Sequence, residues 1–501
     1  MIRTLKSLFM MLLIIGAAAC SDDKNELPAF AVDLEMENTE GRIVLDKEAG
    51  SEATFTITAN VRWQIEYDAA LFSVTPTEAT NGRTEVKIIA KETNPETHYR
   101  KLGNLIIHCA AATQDVPIEV YQRSDEAEQT VLIYMPGTNL GGYYIHNIEL
   151  CRKAIAEHGL DNGRLIVCHQ PSGHTSAAMT ELYFDEQKQD CEAIQLKSYD
   201  NFEAGDEESV ARMMNDMAEL APAKRYGLII GSHGKAWVPA ELGLTSRALS
   251  LKGGMSEEEF WRPMAGAKPT RAFGDTNHSL EITELSHLIT GLKFRFDYLI
   301  FDACFMSNIE TLYDLRTNFD YIVGSPCEIM AAGFPYDTII PQIFSGTTPK
   351  DFLPKVCYEY WDFYANNWHK DPMNEPSGCI AMTVTKELDG LAQAMRRVTA
   401  AKQQEYDLAA LQTYEGLPQH VFFDLGHFVE LSCADQAARD AFNQQMERTF
   451  PMDCRLHTET FFSAYNGPDN PIHHYTGVTV SEPCSRYKVE NQATAWYRAT
   501  H

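Results

Sequence analysis

The order of hydrophobic and polar positions divides the chain into two regions that differ in secondary structure. Between residues 30 and 123, polar and apolar residues alternate over short runs such as 53–58 and 84–89, and turn residues separate the runs. Alternation with a period of two is typical of strands that bury one face. Short strands at this spacing predict an all-β, immunoglobulin-like sandwich.

From residue 130 onwards, continuous apolar runs alternate with stretches of helical spacing. The runs at 131–135, 164–169, 226–230 and 296–301 predict strands buried on both faces, whereas 145–158, 207–220 and 283–292 predict helices. This alternation predicts an α/β domain, a three-layer sandwich around a mostly parallel sheet. Aromatic-rich helices at 352–367 and a strand at 379–384 extend it toward the C-terminus.

The first 20 residues predict a targeting segment rather than part of the fold. Arg3 and Lys6 precede an apolar run at 8–15, and small residues at 16–19 precede Cys20. This segment resembles a bacterial lipoprotein signal, and the resemblance implies cleavage before Cys20 and lipidation of its thiol. An ordinary secretory signal is the alternative. The acidic stretch at 21–26 looks like an export tag for the outer face of the outer membrane.

These patterns together divide the chain into five segments. They are a signal with the lipidated Cys20 at 1–20, a tether at 21–29, the β-sandwich at 30–123, a linker at 124–129, and the α/β domain with its C-terminal extension at 130–501. No run outside the signal approaches the 18 apolar residues that a second membrane span would need.

The large negative net charge of the chain excludes one class of binding partner. The 501 residues include 70 Asp and Glu against 42 Lys and Arg, a net charge of −28. Such a field repels phosphate backbones, so nucleic acid is excluded as an expected partner. An acidic surface can attract basic segments of a substrate, or it can simply keep the protein soluble.

The twelve cysteines are scattered rather than arranged as a scaffold. They include no CxxC pair, the spacing typical of zinc and redox sites. With Cys20 assigned to lipid, the remaining number is odd, so at least one thiol should be unpaired. Most should act as small core residues.

The first region resembles a BACON domain in the order of its features at 60–65, 72–76 and 120–122. The resemblance implies a suspected glycan-binding role, in which Trp63 would be a platform for sugar. Trp63 as a core residue is the alternative, and a spacer function is favoured over a lectin function.

Two of the buried runs end in residues that could react. His233 and Gly234 follow the run at 226–230, and Cys304 follows the run at 296–301. Ligands of parallel sheets bind at the carboxyl ends of the strands, so the two side chains could meet there. A thiolate attacks a carbonyl carbon, and an imidazole can supply the proton that the departing amine needs. Taken singly, each residue is equally compatible with a turn histidine or a core cysteine.

A group of motifs resembles the clostripain family of cysteine peptidases, which has a caspase-like fold. They are His233-Gly234 with Trp237, Phe-Gly-Asp-Thr at 273–276, Asp-Ala-Cys-Phe-Met-Ser-Asn-Ile-Glu at 302–310, 321–325 and 333–336. The resemblance is strong over 131–335 and weaker to the C-terminus. One departure is that Ser232 precedes the histidine and Lys235-Ala236 follow, where the family commonly has an acidic residue and a glycine-rich stretch.

The resemblance implies a role for each matching residue. Cys304 would be the nucleophile and His233 the general acid and base, with the backbone N–H groups of Gly234 and Cys304 as the oxyanion hole. Asp302 would bind a basic side chain in the S1 pocket, which implies cleavage after Arg or Lys. An Asp302 that only caps local backbone is the alternative.

The resemblance also implies a zymogen that cuts itself between the two catalytic strands, and a surface insertion without a regulatory role is the alternative. Residues 238–272 show neither helical nor strand periodicity, and a loop of this length is unusual in a compact domain. They carry five basic residues: Arg247, Lys252, Arg262, Lys268 and Arg271. No metal site or cofactor is predicted. Calcium, which some relatives need, stays open, although the acidic clusters at 206–208 and 257–259 are better explained as helix starts.

We therefore predict a surface-anchored cysteine endopeptidase acting on proteins or peptides with basic P1 residues. A catalytically silent surface protein that binds glycan through its N-terminal domain is the main alternative. A thiol-dependent hydrolase of non-peptide amides would use the same two residues, so the sequence does not separate it from the peptidase.

Overall fold

The structure is a computed structural model that describes residues 30–33, 42–112, 115–240, 255–271, 280–403 and 405–501. The predicted signal with Cys20 and the tether lie outside these residues. The chain forms two compact units, the first made mainly of residues up to Ala127 and the second mainly of residues from Glu128 onwards.

The first unit is built from two β-sheets. Its strands are β1 Phe30–Asp33, β2 Arg42–Leu45, β3 Glu52–Ala59, β4 Trp63–Tyr67, β5 Phe72–Thr75, β6 Glu78–Ala79, β7 Gly82–Ala90, β8 Arg100–Cys109 and β9 Val116–Gln122. One sheet has the order β1-β3-β7-β5 and the other β2-β9-β8-β4-β6. The alternating apolar residues of both sheets share one core. Trp63 is 1% exposed within that core, so it is a core residue and not a platform for sugar.

The second unit is organised around an eight-stranded sheet. Its strands are β10 Gln129–Met135, β11 Gly163–His169, β12 Ala177–Asp185, β13 Asp190–Tyr199, β14 Tyr226–Gly231, β15 Tyr298–Asp302, β16 Tyr321–Gly324 and β17 Ala381–Val384. They lie in the order β13-β12-β11-β10-β14-β15-β16-β17. The five strands from β11 to β16 in this order are parallel, whereas β12 and β17 are antiparallel to their inner neighbours. The predicted α/β fold with a mostly parallel sheet is confirmed.

Helices connect and flank these strands. They are α1 Gly141–His158, α2 Glu207–Leu220, α3 Glu257–Phe260, α4 Ile282–Thr290, α5 Ile309–Asp314, α6 Tyr336–Ser345, α7 Pro349–Asp362, α8 Leu388–Ala400, α9 Leu425–Ser432, α10 Gln436–Thr449, α11 Lys488–Gln492 and α12 Ala495–Thr500. Two short strand pairs complete the unit: β18 Phe423–Asp424 with β21 Thr479–Val480, and β19 Thr460–Ser463 with β20 Gly467–Pro471.

The direction of the crossovers places helices on both faces of the sheet. The connection through α1 runs from β10 to β11 on one side, whereas those through α4 and α5 step from β14 to β15 and β16 on the other. Crossovers between parallel strands are almost always right-handed, so connections that step in opposite directions lie on opposite faces. Accordingly α1 packs against α6, while α4 packs against α5.

The register of the central strands brings their carboxyl ends to one edge. Parallel β14 pairs with β10 on one side and with β15 on the other, and Gly231 at the end of β14 lies beside Asp302 at the end of β15. The residues that follow these three strands therefore share one edge of the sheet, where parallel sheets bind their ligands.

The eleven cysteines of the described residues are all free thiols, and ten of them are buried. This agrees with their predicted role as small core residues. Within the described ranges, no helix is long and apolar enough to cross a membrane.

Candidate active site

The structure places the two candidate catalytic residues on adjacent strand ends. The Ser232 N–H donates to the Asp302 carbonyl oxygen at 3.2 Å, continuing the pairing of β14 with β15. His233 follows Ser232 directly, and Cys304 lies two residues beyond Asp302 on the adjacent segment. The strand ends that the sequence separates by about seventy residues thus meet at one edge.

Gly234 allows this close approach. A Cβ atom at position 234 would lie 2.4 Å from the carbonyl oxygen of Cys304 and 3.2 Å from the Cβ of Ala303. Real Cβ atoms do not come this close to backbone, so any side chain here would push the His233 segment away from Cys304. The glycine keeps the two reactive segments in contact.

His233 is oriented by a residue from a third strand end. Its Nε2 lies 2.6 Å from Oδ1 of Asn139, which follows β10. With Asn139 as acceptor, Nε2 carries the hydrogen and Nδ1 is left as the basic nitrogen. Nδ1 is buried and has no hydrogen-bond partner among the described side chains and backbone. Burial, and then the positive charge of Arg271, lower the pKa of His233 to about 4, so the imidazole is neutral at pH 7.

Cys304 is held as a neutral thiol. The residue is fully buried, and its Sγ accepts a hydrogen bond from the Ile329 N–H at 3.0 Å. Burial raises the pKa of the thiol well above its usual value, and the negative charge of Glu328 adds to the increase. Because the thiolate is the stronger nucleophile, a buried thiol with a raised pKa needs a nearby base to take its proton before it can attack.

The strained backbone after Cys304 is stabilised by stacking. Phe305 has a φ of 62°, in the left-handed region that non-glycine residues rarely adopt. Its ring stacks on Phe422 at 4.6 Å between centroids, and its N–H donates to the Cys327 carbonyl. Such strain persists only where the surroundings hold it, and it is common at functional sites.

A segment of the chain itself lies across this edge of the sheet. We call residues 268–271 the cleft segment. The Arg271 N–H donates to the Ile329 carbonyl at 2.9 Å, and the Ala331 N–H donates to the Pro269 carbonyl at 3.0 Å. Thr270 lies opposite Met330 in an antiparallel bridge. The cleft segment is thus bound to residues 329–331 as an added β-strand, which is one of the common ways to bind an extended peptide.

Arg271 ends this segment with its side chain on Asp302. The Arg271 Nη1 lies 2.7 Å from Oδ2 of Asp302, and both side chains are fully buried. The Tyr336 hydroxyl donates to the same carboxylate oxygen at 2.9 Å. Burial raises the pKa of Asp302, and the Arg271 guanidinium opposes that increase. A single carboxylate facing one guanidinium in a closed pocket is a charge-assisted recognition site.

Gly333 makes room for that side chain. It has a φ of 76°, and a Cβ there would lie 2.3 Å from Nη2 of Arg271 and 2.6 Å from Oδ2 of Asp302. A methyl group at position 333 would fill the space that the guanidinium occupies. The pocket is therefore matched to a long basic side chain by shape as well as by charge.

The carbonyl group of Arg271 lies where an oxyanion hole was predicted. The Gly234 N–H donates to the Arg271 carbonyl oxygen at 2.9 Å. The Arg271 backbone also raises the pKa of His233 and lowers the pKa of Cys304, so it lies near both side chains. One of the two predicted N–H donors thus binds this carbonyl, and the role of the Cys304 N–H stays a prediction.

Three residues of this site were missed by the sequence reasoning. Asn139 follows β10, which was predicted as a buried strand, so the rule that led to the other two strand ends would also have found it. Tyr336 is the first residue of α6 and belongs to the motif at 333–336, but no role was predicted for it. Glu328 lies in the connection between β16 and α6, and no pattern in the sequence links it to the site.

No group of three or more His, Cys, Asp and Glu side chains that could hold a metal ion occurs in the described ranges. Glu259 of the acidic cluster 257–259 forms a capping box with Ser256 at the start of α3. Glu257 binds Arg486 and Tyr487. These contacts agree with the prediction that the acidic residues at 257–259 mark the start of a helix.

We expect Asn139→Ala to lower kcat by about 10²-fold with little change in KM, because the imidazole would lose the contact that fixes its orientation. Steady-state kinetics of Asn139→Ala and Asn139→Asp measure the effect. Asn139→Asp keeps an acceptor, so it should retain more activity and shift the acid limb of the pH profile upward. Equal kcat in wild type and Asn139→Ala would contradict the role of Asn139.

Comparisons with known proteins agree with this fold. The model of the clostripain family matches residues 259–450. A secreted C11 cysteine protease from Bacteroides thetaiotaomicron, iotapain, is 29% identical, covers 75% of this chain and 100% of its own, and superposes with a TM-score of 0.64. An inactive zymogen of a C11 protease from Parabacteroides distasonis is 25% identical over 75% of this chain and 99% of its own, with a TM-score of 0.61.

A third solved structure supports the fold alone. It is a secreted C11 cysteine protease from Bacteroides thetaiotaomicron bound to an irreversible peptide inhibitor, 20% identical over 75% of this chain and 99% of its own, with a TM-score of 0.60. No curated protein matches the chain. The matched region and the shared fold lead to one conclusion: residues 259–450 match the clostripain family, and the chain is similar in fold to C11 cysteine proteases.

Proposed function

We propose that this chain is a cysteine endopeptidase that cleaves after Arg or Lys with Cys304 as nucleophile and His233 as general acid and base. We further propose that it is made as a zymogen whose first substrate is its own Arg271–Ala272 bond. One observation carries both proposals: Arg271 has its side chain on Asp302 and its carbonyl group on the Gly234 N–H.

The preference for a basic P1 residue rests on Asp302. Its carboxylate is fully buried, so a neutral P1 side chain would leave a charge without a partner in a dry pocket. A guanidinium or ammonium group removes that penalty. Gly333 and Tyr336 add a fit in shape, because they leave a narrow space that ends at the carboxylate.

The chemistry follows from the positions of the two side chains. Cys304 Sγ attacks the carbonyl carbon while its proton passes to His233, and the Gly234 N–H binds the negative oxygen of the tetrahedral intermediate. The C–N bond then breaks, and His233 gives the proton to the departing amine. Water, deprotonated by His233, next hydrolyses the thioester and releases the new carboxylate and the free thiol.

Arg271 is the best placed of the predicted self-cleavage sites. The side chain of Lys268 binds Glu375 and the Asn374 carbonyl, and that of Arg262 binds Glu258, whereas the Gly234 N–H donates to the carbonyl of Arg271. Arg247 and Lys252 lie outside the described residues. The raised pKa of Cys304 and the occupied cleft support a dormant state before cleavage. The similar Parabacteroides distasonis protein is itself described as an inactive zymogen.

We also propose that lipidation of Cys20 anchors the mature enzyme at the outer face of the outer membrane. The signal at 1–20 supports this, and the similar iotapain is described as secreted. The first unit, with Trp63 in its core, then serves as a spacer between membrane and peptidase. A silent glycan-binding protein is disfavoured, because the peptidase residues are intact and the expected sugar platform is buried.

We expect Asp302→Asn to lower the ratio of kcat/KM for P1 Arg over P1 Gln peptides by about 10². A panel of fluorogenic peptides that differ only at P1 measures it. Asp216→Asn is the matched control, because Asp216 is also a buried aspartate that accepts a tyrosine hydroxyl, from Tyr199 at 3.0 Å. A retained ratio in Asp302→Asn would assign the S1 role to another carboxylate.

A further inference from the structure

The strained residue after Cys304 depends on an aromatic ring from the C-terminal extension. A positive φ such as the 62° of Phe305 costs a bulky residue free energy, because it brings Cβ close to a backbone carbonyl oxygen. The rings of Phe305 and Phe422 stack at 4.6 Å with 21° between their planes, and both side chains are fully buried. Stacking therefore stabilises a conformation that the backbone alone disfavours.

The conformation of Phe305 sets the position of the Cys304 backbone. The Phe305 N–H donates to the Cys327 carbonyl at 3.0 Å, which fixes the peptide group that Phe305 shares with Cys304. A change of φ at Phe305 would rotate this peptide group. The rotation would move the Cys304 carbonyl oxygen, to which Gly234 packs so closely that a Cβ there would lie 2.4 Å away. The strained turn thus keeps Cys304 against the segment that carries His233.

The backbone of Phe422 is held by a buried carboxylate. We call residues 414–422 the support loop. Oε1 of Glu415 accepts the N–H groups of Val421 at 2.7 Å and of Phe422 at 3.1 Å. The Tyr414 N–H donates to the Phe422 carbonyl at 3.1 Å. Because the Glu415 side chain is 0% exposed, water does not compete for these bonds, and the ring of Phe422 is held in one place.

A second aromatic ring contacts the same pair. The ring of Trp261 lies 6.4 Å from that of Phe305 and 6.5 Å from that of Phe422, measured between centroids. Its Nε1 donates to the Tyr487 hydroxyl at 3.0 Å, so the indole is oriented as well. Phe422 is the nearer of the two neighbours of Phe305 and the one with a nearly parallel ring, so its loss should affect Phe305 more.

We propose that Phe422 is a positioning residue: by stacking on Phe305, it holds the Cys304 backbone where the thiol can attack the substrate. This inference rests on the proposed function, since it takes Cys304 as the nucleophile. It also assigns a part in the reaction to the C-terminal extension, which supplies the support loop. A misplaced nucleophile slows the chemical step much more than it weakens substrate binding.

Phe422→Leu tests this role, because leucine has no flat face to stack on Phe305. We expect kcat for a fluorogenic peptide with Arg at P1 to fall by about 10- to 100-fold, with KM within about twofold of wild type. Titration with an irreversible peptide inhibitor counts the active sites, so that uncut protein does not lower kcat. The first-order rate of self-cleavage should fall by a similar factor, because the cleft segment is already bound.

Phe442→Leu is the matched control. Phe442 is also a fully buried phenylalanine of the C-terminal extension, but it lies in α10, which contributes no residue to the site described above. Its kcat and its rate of self-cleavage should equal those of wild type. If Phe422→Leu does not fold, Phe422→Met takes its place with the same expected fall in kcat, because methionine fills the space without a ring.

A variant of Phe305 separates positioning from packing. Asparagine adopts a positive φ more readily than phenylalanine does, so Phe305→Asn keeps the turn without needing a stacked ring. In that background, adding Phe422→Leu should lower kcat little further, because the two residues act through one contact. If Phe422→Leu lowers kcat by the same factor in both backgrounds, Phe422 does not act through Phe305 and the inference is wrong.

The remaining outcomes distinguish this inference from the proposal beneath it. Wild-type kcat in folded Phe422→Leu, or equal losses in Phe422→Leu and Phe442→Leu, overturns the role of Phe422 and leaves Cys304 as the nucleophile. A raised KM with unchanged kcat also overturns it, because the ring would then act on substrate binding. Peptide cleavage by folded Cys304→Ala overturns the proposed function and this inference with it.

Discussion

Replacing Cys304 by alanine should leave an intact chain that cuts neither itself nor a peptide. The expected loss in kcat/KM is at least about 10⁴-fold, because the nucleophile is removed while the rest of the site stays in place. The fold should survive, since only one sulfur atom leaves a buried site. Mass spectrometry should show two fragments that join after Arg271 in wild type and one chain in Cys304→Ala.

Cys357→Ala is the control, because Cys357 is another fully buried thiol, in α7, away from the cleft. It should process itself like wild type. His233→Ala should resemble Cys304→Ala, since both the attack and the departure of the amine need the imidazole. Turnover at the wild-type rate in a folded Cys304→Ala protein would refute the assignment of the nucleophile.

Replacing Arg271 by glutamine should have two effects that are measured separately. In the active protein, cleavage after residue 271 should stop, because the P1 side chain no longer pairs with Asp302. In the Cys304→Ala background, where nothing is cut, the free energy of unfolding should fall by about 3–5 kcal/mol, because the buried Asp302 carboxylate loses its counter-charge. Urea denaturation of the two uncut proteins measures the difference.

The pH dependence of this loss of stability checks independently that it comes from the charge of Asp302. Lowering the pH protonates the unpaired Asp302 carboxyl and removes the buried charge, so the loss of stability should shrink as the pH falls. The double variant Arg271→Gln with Asp302→Asn should recover much of the stability at neutral pH. A pH-independent loss would mean that Arg271 stabilises the protein through packing rather than through its charge.

The chain contains a matched ion pair for this experiment. Arg164 and Glu181 form a bidentate pair whose side chains are 0% and 1% exposed, within the same sheet but outside the cleft. Arg164→Gln should destabilise the protein by a similar amount and leave self-cleavage at Arg271 unchanged. If Arg164→Gln also stopped self-cleavage, the loss in Arg271→Gln would reflect instability rather than recognition.

The sequence predicted the central sheet because buried parallel strands have an unambiguous pattern. Continuous apolar runs at 131–135, 226–230 and 296–301 correspond to β10, β14 and β15, and the strand-end rule then brought His233 to Cys304. The strands β12 and β13 were not predicted. Their polar positions at 177–199 lie at an edge of the sheet with one exposed face, and they lack the continuous apolar run of the central strands.

The walls of the cleft could not be predicted for a different reason. Thr270 and Glu328 are 58 residues apart, and Asn139 and His233 are 94 residues apart. Such contacts depend on how connections fold over the sheet, and connections carry no periodicity from which their path can be derived. The sequence shows the basic residues of the loop at 238–272, but only the structure indicates that Arg271, among them, has its side chain on Asp302.

The position of the cleft segment makes the proposed activation a first-order reaction, whose rate constant does not depend on protein concentration. A peptide that is already seated in the active site of its own chain reacts in cis, at an effective concentration that no dilution changes. The half-life of the precursor would then be the same in a concentrated and in a dilute sample, and adding mature enzyme would not shorten it. The newly formed carboxylate of Arg271 would remain tethered near the nucleophile, so each cleaved molecule would at first have its own product bound in the cleft. Other substrates could bind only after that strand dissociates.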